Sequence, residues 1–127
     1  MTAAAARIGD SALAARLRRE LEGEVLFDAF SRGRYSTDAS IYQVEPIGVV
    51  VPRTEQDLRI AIQIAADEGI PVLPRGGGTS QCGQTVNTAL VLDCTKFLNG
   101  VVDYDEESQE VTVQPGIVLD HLNAWLK

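Results

Sequence analysis

Ile47-Gly48-Val49-Val50-Val51-Pro52, followed by Thr54-Glu55-Gln56-Asp57 and, further on, by Gly69-Ile70-Pro71-Val72-Leu73-Pro74, decides the fold class. A continuous β-branched run closed by proline has no polar face, so it reads as a strand covered on both sides. Thr54 offers a hydroxyl at an N-cap with an acid three residues later, although Asp57 is a weaker third member of a capping box than Glu or Gln. Leu58, Ala61, Ile62 and Ala65 then fall at i, i+3, i+4 and i+7, and Gly69 supplies the left-handed position that ends the helix. Pro71–Pro74 and Leu90–Asp93 are two further short strands. Strand, helix, strand predicts a right-handed parallel unit, and this part of the chain is α/β.

Upstream, Leu13, Leu17 and Leu21 recur every four residues between charges, which predicts an amphipathic helix over Ser11–Glu22 ended by Gly23. Phe27–Tyr42 breaks that pattern and reads as an irregular segment with Phe30, Tyr35 and Tyr42 as aromatic anchors. Downstream, Val101–Tyr104 and Gln109–Gln114 predict an antiparallel hairpin, and Pro115-Gly116 punctuates it. Val118, Leu122, Trp125 and Leu126 trace the inward stripe of a last helix that reaches Lys127 with no capping residue, the pattern expected of a piece of a longer polypeptide.

At 127 residues and 13.7 kDa the chain fits one domain. Its net charge of −7 repels polyanions, and no basic cluster interleaved with aromatics offsets it, which argues against nucleic acid. Cys82, Cys94 and the lone His121 provide neither zinc spacing nor a disulfide framework, so no metal is expected and the reading is two reduced thiols in a cytoplasmic protein. No run approaches the roughly 18 apolar residues of a membrane span. The Ala-rich start is soon followed by Asp10, Glu20 and Glu22, which suit neither a secretory signal nor an organelle transit peptide.

The chemistry concentrates in Pro74-Arg75-Gly76-Gly77-Gly78-Thr79-Ser80-Gln81-Cys82-Gly83-Gln84, which follows directly on a strand. Consecutive glycines leave no Cβ to block a ligand, and their successive N–H groups can turn inward as an anion-binding nest. Between Pro71 and Leu92 the only charged residue is Arg75, so an acidic chain is locally cationic here. A Walker A loop needs Gly-Lys-Ser/Thr, and no Lys follows Gly78. A dinucleotide fingerprint counted from Gly76 needs glycine where Gln81 stands. From the residues alone, three readings stay open: a cofactor phosphate loop, a stand-alone phosphate- or nucleotide-binding module without redox activity, and a surface turn.

Four blocks taken together are more specific. Arg34-Tyr35-Ser36-Thr37-Asp38-Ala39-Ser40-Ile41-Tyr42, Pro46-Ile47-Gly48-Val49-Val50-Val51-Pro52, Pro74–Ser80 with Gly83-Gln84, and Val113-Gln114-Pro115-Gly116 stand in an order that resembles the FAD-linked oxidases and dehydrogenases of the vanillyl-alcohol oxidase/p-cresol methylhydroxylase superfamily. The branch of glycolate oxidase subunits and D-lactate dehydrogenases is the most similar. The resemblance implies a small α/β subdomain with three parallel strands and a larger antiparallel subdomain, with FAD extended between them. Residues 1–46 would be an N-terminal helix and irregular lead-in. Residues 47–127 would be the N-terminal, incomplete part of the FAD-binding domain, ending in the opening hairpin and helix of the second subdomain.

By the same resemblance, Arg75, Gly76, Gly77, Gly78, Thr79 and Ser80 would wrap the pyrophosphate. Gly83 and Gln84 would continue toward the inner part of the cofactor, and Pro115-Gly116 would pass near the flavin. Thr79 stands where some relatives carry a flavin-tethering histidine, so FAD would be held non-covalently. Asp38, Ser40 and Tyr42 would secure the lead-in by local hydrogen bonds and packing, and neither His121 nor Cys82 is given a role. The implied activity is oxidation of a small-molecule 2-hydroxy acid by hydride transfer to the flavin. Catalytic residues would lie in later sequence, none within this chain. The chain alone is then expected to lack turnover, to bind FAD weakly or not at all, and to self-associate through an uncovered apolar face.

Overall fold

The computed structural model describes residues 2–127. After a 3₁₀ turn at Ala5–Arg7, helix α1 (Ser11–Glu20) leads into strand β1 (Glu24–Leu26) and the short helix α2 (Ala29–Arg34). Strand β2 (Gly48–Val51), helix α3 (Glu55–Asp67), strand β3 (Val72–Arg75) and strand β4 (Leu90–Asp93) form the α/β part. Strands β5 (Val101–Asp105) and β6 (Glu110–Val113) and helix α4 (Leu119–Trp125) follow. Among the described residues, no helix is long and apolar enough to cross a membrane.

The larger sheet has the order β1-β2-β4-β3, with β2, β4 and β3 parallel and β1 antiparallel at the edge. β4 sits centrally, with Val91 beside both Val49 and Leu73. Every residue of β2 and β4 is buried, as a strand covered on two faces requires. One face carries Val50, Leu90 and Leu92 against Leu13 and Leu17 of α1 and Ala61, Ile64 and Ala65 of α3. The other carries Val49, Val51 and Val91 against Tyr35. The hairpin β5–β6 forms a separate antiparallel pair.

The ends of α3 follow from its sequence. Thr54 Oγ1 accepts from the Asp57 amide at 3.0 Å. At the other end Gly69, at φ +64°, lets its own amide reach Ala66 O and the Ile70 amide reach Ala65 O, which is the Schellman closure. The Asp57 carboxylate, however, does not return to Thr54 as a capping box would. It accepts from the amides of Glu22 at 2.9 Å, Gly23 at 2.8 Å and Arg53 at 3.0 Å, so a carboxylate only 2% exposed ties the α1–β1 junction to the start of α3.

Four further expectations are corrected. α1 ends at Glu20 rather than at Gly23, and Gly23 is needed because a Cβ there would press on Val51 O and stand 2.9 Å from Arg53 N. The segment Phe27–Tyr42, read as irregular, contains α2, and β1 lies unread just before it. A three-residue strand is too short to display alternation, and α2 holds Gly33 and depends on Asp28, whose carboxylate accepts from the Ser31 amide and hydroxyl. Of the three aromatic anchors only Tyr35 is buried; Phe30 is 76% and Tyr42 55% exposed, and Phe27 fills the core instead. The stripe on and beside α4 does not face inward: Val118, Trp125 and Leu126 are about half exposed, and Trp125 meets only the edge of Tyr104 among aromatic rings, at 6.0 Å.

Candidate functional site

The glycine loop leaves the carboxyl end of β3, where the Cys94 amide donates to Arg75 O at 3.2 Å and fixes its first residue beside β4. The Arg75 side chain turns back under the loop. Its Nη1 donates to Tyr35 O at 3.4 Å and to Thr85 O at 3.1 Å, and its guanidinium lies 5.2 Å from the centre of the Tyr35 ring. Gly78 rests on that guanidinium at φ +68°, and a Cβ there would stand 2.8 Å from Arg75 Cζ. Arg75 and Gly78 thus shape the loop from within, and the Arg75 cation contributes its field from behind it.

Gly76 and Gly77 differ from Gly78. Neither has positive φ, a Cβ at Gly76 would meet nothing within 4 Å, and one at Gly77 would make only an ordinary contact with Thr79 Cγ2 at 3.6 Å. Neither backbone strain nor packing within the chain demands glycine at these two positions; what their bareness provides is open access to the main chain. Among the described residues, no protein acceptor takes the amides of Gly76, Gly77, Gly78, Thr79 or Ser80. A row of donors without partners on a strand-to-loop corner is the physical form of an anion nest.

Gly76, Gly77 and Thr79 border a cleft of about 280 Å³ whose other walls are Thr95, Pro115 and Gly116, with Ile117–Leu119 closing one side. Gly116 reaches it by close approach. Its amide donates to Leu98 O at 2.8 Å, and a Cβ would collide with the Cys94 carbonyl. Only glycine lets the turn after β6 sit this near the end of β4. The structure therefore brings Gly76, Gly77, Thr79, Pro115 and Gly116 around one cleft.

Ser80, Gly83 and Gln84 lie on the far limb of the loop, outside that cleft. The Ser80 hydroxyl donates to Gln84 Oε1 and accepts from the Cys82 amide at 3.2 Å. Gly83, at φ +82°, packs on the Tyr42 ring, where a Cβ would stand 2.7 Å from Cδ2. Beside it, Asp38 Oδ1 accepts from the Ser40 amide at 2.8 Å and Oδ2 from the Thr85 hydroxyl at 2.9 Å. Ser40 foremost, and Thr85 with it, hold the Asp38 carboxyl down at about 2. The Ser40 hydroxyl in turn accepts from the Tyr42 amide at 3.1 Å.

Two residues of the site escape the sequence reading. Thr95 lines the cleft, and Asp93 anchors it by accepting from the Thr95 amide at 2.9 Å and hydroxyl at 2.7 Å and from the Tyr35 hydroxyl at 2.5 Å. Burial first, and the bond to Asp93 second, push the Tyr35 phenol up to about 12. The available signal was Asp93-Cys94-Thr95 at the carboxyl end of a fully apolar strand, where open parallel sheets collect their ligands. A larger cavity of about 400 Å³ shares only Thr95 with the cleft; Lys96 and Glu24 on its rim pair with each other at 2.5 Å, and it has no bare main chain like that of the loop. His121 is exposed on α4, Cys82 is exposed, Cys94 is buried, and no cluster suited to a metal ion occurs among the described residues.

Residues 46–127 match the FAD binding domain family. The chain is 39% identical over 95 residues to D-2-hydroxyglutarate dehydrogenase of Escherichia coli (strain K12), covering 72% of this chain and 9% of that protein. It is 38% identical over 111 residues to glycolate oxidase subunit GlcD of Bacillus subtilis (strain 168), covering 83% of this chain and 23% of that one. It is 31% identical over 103 residues to the mitochondrial D-lactate dehydrogenase [cytochrome] 1 of Saccharomyces cerevisiae (strain ATCC 204508 / S288c), covering 78% of this chain and 18% of that protein. The chain thus spans less than a quarter of the length of these relatives. In fold it superposes on alkyldihydroxyacetonephosphate synthase with a TM-score of 0.77 at 18% identity, over 91% of this chain and 24% of that one. For xylooligosaccharide oxidase from Myceliophthora thermophila C1 the TM-score is 0.72 at 22% identity, over 91% and 25%.

Proposed function

The chain belongs to the FAD binding domain family, and on that premise we propose that its glycine-loop cleft takes the diphosphate of a non-covalently held FAD. The observation that carries this reading is the meeting of bare main-chain donors at Gly76, Gly77 and Thr79 with Pro115 and Gly116 around one cleft. The donor set fits the group. Uncommitted amides offer hydrogen bonds to phosphate oxygens, the Thr79 hydroxyl adds another, and Arg75 supplies positive charge without blocking the opening.

Within this proposal Arg75, Gly78, Ser80, Gly83 and Gln84 complete the site as the limbs that give the loop its shape. Pro115 and Gly116 form the opposite wall. Residues 47–127 carry the cofactor contacts and residues 1–46 brace them. The loop has threonine at position 79 and no histidine, which supports non-covalent binding.

FAD, when bound, supplies the hydride acceptor for oxidation of a substrate carbon. This chain's part is to fix the phosphates and exclude water from one side of the cofactor. The proposed substrate class is a 2-hydroxy acid, supported by relatives named for 2-hydroxyglutarate, glycolate and lactate. Residues that would bind that acid and take its proton are not proposed within this chain. Two unpaired cysteines support a cytoplasmic setting.

The test is an equilibrium titration of the chain with FAD, followed by flavin fluorescence. A cleft of about 280 Å³ covers only part of FAD, whereas cofactor sites bury roughly 70–90% of their ligand. The expected result is therefore weak, saturable binding without turnover of 2-hydroxy acids, abolished by Gly77→Val, whose branched side chain fills the open side of the loop. Unchanged binding in Gly77→Val would overturn the assignment of the loop. Submicromolar affinity with turnover would overturn the division of labour.

A further inference from the structure

Among the described residues, the backbone N–H groups of Gly76–Ser80 donate to no protein acceptor, so no backbone ladder fixes the shape of this stretch between β3 and β4. Two posts hold it instead. The near post is Arg75, and the far post is Thr85. Thr85 is gripped twice: its carbonyl accepts from Arg75 Nη1 at 3.1 Å, and its hydroxyl donates to Asp38 Oδ2 at 2.9 Å. The segment bearing Asp38 is itself closed, with Thr37 bridged to Gln43 and the Val44 amide donating to Ser36 O at 2.9 Å. From that closed segment Asp38 reaches the far post and Tyr42 packs under Gly83.

We infer that Asp38, acting through the Thr85 hydroxyl, is a positioning residue that holds the glycine loop in the shape its ligand meets. The inference rests on the FAD reading above. Its physical content is preorganisation: a loop whose donors are kept bare must be shaped from outside, and any disorder left in it has to be removed when the ligand binds. Among the described residues, Asp38 makes no hydrogen bond to a residue that lines the cleft, so its proposed effect on binding passes through Thr85.

The experiment compares FAD affinity and 15N relaxation of the loop amides in the 127-residue chain and in Asp38→Ala, Thr85→Val, the double variant and Thr85→Ser. Loss of one net hydrogen bond predicts affinity weaker by about fivefold in each of Asp38→Ala and Thr85→Val. The double variant is expected to be no worse than either single, because both remove the same contact. Thr85→Ser keeps the hydroxyl and is expected to restore affinity. Relaxation of residues 76–84 should report increased mobility in Asp38→Ala and Thr85→Val, with the thermal transition little moved. A purely structural role would instead lower the transition and leave affinity intact.

If the unaltered chain binds FAD while both single variants bind it equally well, or their losses add, the positioning role is overturned and the functional reading stands. If the unaltered chain shows no FAD binding at the loop, the functional reading is overturned and this inference with it. Thr85→Val is nearly isosteric and Thr85 lies outside both buried clusters, so it tests the claim even if Asp38→Ala disturbs folding.

Discussion

Tyr35 links the two sides of the site. Its hydroxyl donates to Asp93, its carbonyl accepts from Arg75, and its ring carries the Arg75 guanidinium. With the phenol raised to about 12 from an ordinary value near 10, the folded state favours the neutral form. The stabilisation from this group is complete below pH 10 and is lost as pH rises through the folded value, because the unfolded chain ionises first. Spectrophotometric titration should find Tyr35 ionising only near pH 12, together with unfolding. Tyr35→Phe should remove that late ionisation and cost about 1–3 kcal/mol in urea denaturation, since Asp93 loses a buried donor. A Tyr35 phenol titrating near 10 would contradict the buried pair. For Asp38 the sign is opposite: its depressed carboxyl keeps the Thr85 contact above the ordinary carboxylate range, and the contact is lost only as pH falls toward 2.

At the scale of elements, α3 depends on Asp57 more than its capping pattern suggests. Three amides from two separate chain segments donate to one buried carboxylate. Asp57→Ala leaves those donors without an acceptor and is expected to destabilise the chain by about 2–3 kcal/mol, measured by denaturant unfolding. A loss no larger than that of an exposed N-cap would show that water replaces the carboxylate at little cost. The parallel strands, α3 and the hairpin were legible because each carries a local signal: β-branched runs, a threonine N-cap, a glycine closure, and alternation around Asp105–Ser108. β1 and α2 were not, because three residues cannot show a period and a helix containing Gly33 is held by one aspartate cap. The second role of Asp57 is a long-range contact, invisible to spacing.

At the scale of the whole molecule, the site is assembled from loops at one end of the sheet, and its legibility divides along the same line. Gly76, Gly77, Thr79, Pro115 and Gly116 were readable as blocks in an ordered resemblance, whereas Thr95 and Asp93 depend on which strand lies in the middle of the sheet. The order β1-β2-β4-β3 is set by a crossover that no local pattern encodes. The apolar residues Val118, Leu119, Trp125 and Leu126 are all exposed, and the first two line the cleft. Self-association through this face is the expected behaviour of the chain in solution. Light scattering should report concentration-dependent mass that falls in a Leu119→Ser, Trp125→Ser variant, and a monomer at high concentration would contradict it.

In the proposed site the bare amides of Gly76, Gly77 and Thr79 receive the phosphates of FAD. Chemical-shift mapping on the 15N-labelled chain tests it directly, because weak binding is sufficient and each amide reports separately. FAD is expected to move the amide resonances of Gly76, Gly77, Thr79 and Gly116, and ADP, carrying the same diphosphate, to move the first three. Shifts clustered around Arg34 and Lys96 in the larger cavity, with the glycine-loop amides unmoved at saturating FAD, would contradict it.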